Sequence, residues 1–62
     1  MESLEARAER YLQEAERVRA AAETTRNSEP RSALLDVARQ YETIARQYET
    51  AATMVEELRR YR

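Results

Sequence analysis

The sequence predicts an all-α fold: one antiparallel two-helix hairpin with an alanine-rich heptad seam, expected to dimerise into a four-helix bundle. Three observations lead there. The chain holds no Gly and a single Pro, so the usual punctuation of strands and tight turns is missing. Its apolar residues recur at alternating steps of four and three along two long stretches separated by one break. Folding one stretch back on the other then matches large side chains to small ones along the seam.

The first helix is expected over about residues 2–26. Ala, Arg, Glu, Leu and Gln dominate it, which is helix-forming chemistry. Its heptad positions are Leu4, Ala8, Tyr11, Ala15, Val18, Ala22 and Thr25. Such spacing keeps one seam facing a neighbouring helix with a gentle left-handed supercoil. Thr24 and Thr25 weaken its end, and Asn27 is expected to stop it in the left-handed conformation. The loop covers residues 27–29. Ser28 is expected to cap the next helix, and Pro30 suits a first turn. Pro30 also disfavours a helical Glu29, which argues against one continuous helix.

The second helix is expected over about residues 30–61, with Leu34, Ala38, Tyr41, Ala45, Tyr48, Ala52 and Val55 on its seam. It contains a near-duplicate heptad, A-R-Q-Y-E-T-I at 38–44 followed by A-R-Q-Y-E-T-A at 45–51. Folded back about Ser28, Ala22 meets Leu34, Val18 meets Ala38, Ala15 meets Tyr41 and Tyr11 meets Ala45. Ala8 then meets Tyr48, Leu4 meets Ala52 and Met1 meets Val55. Each layer sets a large side chain against a smaller one, which fills space without voids or overpacking. The fold-back point chosen by seam matching coincides with the one chosen by loop chemistry. Helical ion pairs are expected at Glu42–Arg46, Glu56–Arg60, Glu14–Arg17, Glu16–Arg19 and Glu23–Arg26, each contributing about 0.2–0.5 kcal/mol.

The second helix has a further apolar row, Val37, Ile44, Ala51 and Leu58, with Leu35 and Met54 nearby. The first helix offers only Leu12 and Ala21 on its comparable flanks, and residues 56–62 have no seam partner. A strip of this kind on a small protein marks an interface. A chain of 62 residues makes a single domain, 1–62, and buries only about 60% of its unfolded surface. With no Cys or His, neither disulfides nor an ordinary zinc site make up the shortfall, which leaves association. The residues Leu35, Val37, Ile44, Ala51, Met54 and Leu58 are therefore expected to bind a second copy, giving a homodimer. The alternative is a small adaptor or regulator whose strip docks a helix of another protein.

Composition speaks against the other function classes. Without His or Cys there is no ready base near neutrality and no thiolate, so no enzyme is expected and no catalytic residue is named. No cofactor-binding or metal-ligating set is expected either: there is no glycine-rich loop, and a carboxylate site in a helical bundle lacks its histidine partner. Tyr11, Tyr41 and Tyr48 fall on the seam, which makes them packing residues rather than stacking platforms for bases. The basic end Arg59-Arg60-Tyr61-Arg62 is offset by Glu56 and Glu57 and suits a helix C-terminus. With a net charge of −1, attraction to nucleic acid or to an anionic membrane is not expected. No apolar run approaches the roughly 20 residues of a membrane span. The acidic N-terminal stretch does not read as a secretory signal, and the absence of Cys fits a reducing compartment, so a cytoplasmic location is expected.

The stretch Ala15-Glu16-Arg17-Val18-Arg19 through Thr25, followed by Arg31-Ser32-Ala33-Leu34-Leu35-Asp36-Val37-Ala38-Arg39-Gln40-Tyr41-Glu42-Thr43-Ile44-Ala45, resembles a group of short uncharacterised alphaproteobacterial proteins. Their pattern is A-E-x-x-R, an acidic or Pro-containing break, then R-x-x-L-L-x-x-A-x-x-Y-E-x-x-A. The resemblance covers roughly residues 15–45. This chain departs from it at Asn27-Ser28-Glu29-Pro30, where the group more often has Asp-Pro-Glu. The resemblance implies a cytoplasmic bacterial origin, in keeping with basic residues that are all Arg, and it implies no activity. In fold alone, the expected dimer is similar to the Rop-type plasmid copy-number regulators. A Rop-like RNA-binding bundle is thus a third reading, though no matching RNA-binding face is present.

Overall fold

The computed structural model describes residues 1–61 and contains two α-helices, α1 (Leu4–Glu23) and α2 (Ser28–Arg60), packed against each other as a hairpin. No strand occurs among the described residues. The hairpin is a rod, 54 Å long and only 17 by 13 Å across. Its radius of gyration of 15.2 Å exceeds the roughly 11 Å of a compact domain of this length.

Each helix begins under its own local chemistry. Ser3 caps α1, its Oγ accepting from the Ala6 N–H at 3.0 Å, and Glu5 adds a favourable charge in the first turn. The end of α1 comes three residues earlier than the expected Arg26. Threonine chemistry explains this: the Thr24 and Thr25 hydroxyls donate to the Ala21 carbonyl at 3.0 and 2.8 Å, joined by the Thr24 N–H at 3.3 Å. Carbonyls left open at a helix end are thereby satisfied without a glycine.

The expected left-handed Asn27 is not found. Its φ and ψ are −74° and 131°, an extended conformation, and no described residue has a positive φ. Asn27, rather than Ser28, is the N-cap of α2, and its side chain makes no capping bond. Glu29 is helical despite the following proline, because Pro30 lies in the first turn, where a missing N–H leaves no helical bond unmade. The break therefore spans residues 24–27, a few positions before the expected loop.

The core is a line of alanines. Ala8, Ala15 and Ala22 of α1 and Ala38, Ala45 and Ala52 of α2 are the buried residues, with Ala38 and Ala45 wholly excluded from solvent. Leu4, Tyr11, Val18, Leu34, Tyr41 and Tyr48 of the expected seam are half-buried along its edge, and Val55 is exposed. The small methyl groups let the helices approach closely, so the large side chains spread to the flank. Tyr11 lies between Tyr41 and Tyr48, with ring centroids 5.9 and 5.7 Å apart and the second pair nearly parallel at 13°. This position sets the Tyr11 ring against the stretch of α2 between Tyr41 and Tyr48. The expected meeting of Met1 with Val55 does not occur, since both are exposed.

Candidate protein interface

Two edges of the hairpin differ in chemistry. One carries the only ion pair between the helices among the described residues. Arg19 donates from Nη2 to Glu42 Oε1 at 2.7 Å and from Nε to Oε2 at 3.0 Å. The fork geometry matches the carboxylate, so each oxygen takes one charge-assisted bond. Those bonds hold the Glu42 carboxyl below its ordinary range, against partial desolvation and with help from the charges of Arg19, Arg46 and Arg39. The same partner raises the Arg19 guanidinium further. This cross-link replaces two of the expected intrahelical pairs, Glu16–Arg19 and Glu42–Arg46. At the C-terminal end Glu56 meets Arg59 at 3.5 Å instead of Arg60, whereas the expected Glu14–Arg17 pair forms at 2.9 Å.

The tyrosine ladder runs along the other edge. Arg7 closes its N-terminal end, with its guanidinium 5.9 Å from the centre of the Tyr48 ring and its Nε 3.6 Å from Glu2. Beside the ladder lies the apolar row of α2. Val37, Ile44 and Ala51 each precede a buried alanine by one position, so their row is turned about 100° from the core line. Ile44 and Ala51 are half-buried, Val37 is 38% exposed and Leu58 is 67% exposed. Exposure is greatest where α2 runs on past the start of α1. Met54, 57% exposed, borders this row one turn beyond Ala51. Leu35 is the exception among the six expected interface residues. It stands one heptad before Glu42, on the edge of the ion pair, and is half-buried there. The hairpin therefore brings five of the six together and sets Leu35 apart.

Sequence reasoning missed part of this face. Ala33, Gln40, Gln47 and Tyr61 interleave with Val37, Ile44, Ala51, Met54 and Leu58, again at steps of four and three. The helix thus carries a second heptad, offset from the first by about a quarter turn. Its signal lies in the spacing, but two glutamines at its middle break the apolar run that makes such a row visible. Two shallow, open depressions of about 340 and 420 Å³ follow the outer side of α2, and Ala51 and Met54 line one while Ile44 lines the other.

No group of three or more His, Cys, Asp or Glu placed to hold a metal ion exists among the described residues. Neither helix is long and apolar enough to cross a membrane. The basic C-terminal end is exposed as far as Tyr61, and Arg62 lies outside the described residues. Compared with protein-family models, with curated proteins and with solved structures, the chain matches none.

Proposed function

We propose that the protein is a non-enzymatic interaction module that works as a homodimer, with the α2 row of Val37, Ile44, Ala51, Met54 and Leu58 as its self-association surface. The observation that carries this reading is the uncovered second heptad of α2. A heptad seam is a surface suited to a helical neighbour, and α1 occupies only the first of the two. The exposed area of the chain points the same way. The chain exposes 5231 Å², whereas a monomer of 7.3 kDa ordinarily exposes about 4,200 Å². The difference, about 1,000 Å², is comparable with the roughly 800 Å² that each partner buries in a stable interface. Two such hairpins joined through α2 make a four-helix bundle.

Sedimentation equilibrium on the native chain, Ile44→Glu and Leu58→Glu tests the reading. A native dimer that both variants convert to monomer is expected, because a carboxylate cannot be buried unpaired in the seam. Leu58→Glu serves as the variant that leaves the hairpin intact, since Leu58 is already largely exposed. A helical native monomer at all concentrations would overturn the proposal.

A further inference from the structure

Resting on that homodimer, we infer that the two α2 helices cross the two-fold axis antiparallel and in one register. Ala33 packs against Leu58 of the second copy, Val37 against Met54, Gln40 against Ala51 and Ile44 against Gln47. The seams on α2 are about 100° apart, close to the right angle that separates the two neighbours of a helix in a square bundle.

Complementarity selects the register. In the stated pairing each layer sets a larger side chain against a smaller or more flexible one, and the whole seam from residue 33 to residue 58 is engaged. Moving one heptad one way presses Gln40 against Leu58, and moving it the other way leaves Met54 and Leu58 uncovered. A parallel arrangement would stack Ala51 on Ala51 and Ile44 on Ile44, alternating voids with crowding. It would also set Gln40 against its own copy.

Charge on α1 supports the same register independently. With the Tyr11 ring between Tyr41 and Tyr48, about the level of Ala45, the pairing of the two α2 helices brings Arg7 of one copy about level with Glu14 of the other, twice over by symmetry. Both residues lie on the ladder edge, one heptad apart, with side chains 41% and 40% exposed. Their present ionic partners, Glu2 at 3.6 Å and Arg17 at 2.9 Å, are exposed pairs that contribute little, and the Tyr48 ring 5.9 Å from the Arg7 guanidinium holds it on the ladder edge, facing the interface. The parallel dimer would instead face Arg7 with Arg7 and Glu14 with Glu14.

The chain has no cysteine of its own, so engineered thiols report the register directly. Val37→Cys and Met54→Cys chains are each oxidised alone and as an equimolar mixture in a glutathione buffer. The mixed 37–54 disulfide is expected to dominate. Two thiols at position 37 would stand about 25 Å apart in the antiparallel dimer, beyond the roughly 7 Å reach of a disulfide. Dominant 37–37 linkage, or a statistical mixture, would overturn the register. In parallel, Glu14→Arg should weaken dimerisation roughly tenfold or more, and Arg7→Glu in the same chain should restore it to within about threefold. Failure of that rescue would overturn the α1 contact. A monomeric native chain is a different result, because it removes the homodimer itself.

Discussion

Arg19 and Glu42 are joined by two hydrogen bonds, at 2.7 and 3.0 Å, across 23 positions of sequence. Each residue stands four places after a buried alanine, Ala15 in one helix and Ala38 in the other. That common offset puts both on the same edge of the hairpin. The guanidinium takes this carboxylate in place of the intrahelical alternatives.

The pair makes stability depend on pH with a definite sign. The folded carboxyl of Glu42 is held below its unfolded value of about 4.3. Its contribution is therefore fully present above that value and lost as pH falls through the depressed folded one. Glu42→Gln is expected to melt below the native chain near neutrality, with the gap closing in acid well below the ordinary carboxylate range. Thermal melts followed by circular dichroism at the two pH values check this. A gap that persists in acid would show that the carboxylate charge is not its source.

Tyr11 is the middle rung of the ladder, and its ring meets two others at under 6 Å. Tyr11→Phe should change stability by less than about 0.5 kcal/mol, since the half-buried ring keeps its packing and its hydroxyl is not a buried, unpartnered group. Tyr11→Ala should cost about 2–3 kcal/mol, below the roughly 3–5 kcal/mol of a fully buried aromatic, because the ring is half exposed. Urea titration of the three chains separates these outcomes.

Ala45 has no solvent exposure in the line of alanines between the helices. Ala45→Leu is expected to destabilise the chain by about 1–3 kcal/mol through overpacking. Ala20→Leu, on the exposed face of α1, should leave the stability within about 0.5 kcal/mol. Equal losses at the two sites, measured by the same titration, would contradict the alanine core.

The two helix starts should respond differently to truncation. The Ser3 hydroxyl oxygen accepts a capping bond, and the Asn27 side chain makes none. Ser3→Ala is expected to cost about 1 kcal/mol, and Asn27→Ala distinctly less. Reversal of that order in thermal melts would place the working cap at Asn27.

Much of the hairpin is legible in residue spacing. Alternating steps of three and four, with Ala at one heptad position of both stretches, set the helical period and the buried face. The loop is less legible. Threonine hydroxyls end the first helix early, and Asn27 stays extended, because several competing local hydrogen bonds lie within about 1 kcal/mol of one another.

The sequence alone determined that two helices form and fold back on each other with the heptad alanines inward, since periodicity and side-chain volume are properties of single residues and their order. Only the tertiary structure decided that the alanines form the whole core while the tyrosines stack beside it, that Arg19 chooses Glu42 over nearer acids, and that Leu35 parts from Val37 and Ile44. Those outcomes depend on how closely two helices approach and on which edge each side chain then reaches. Close approach through methyl groups leaves no room for rings between the helices, and long charged side chains span the gap that remains.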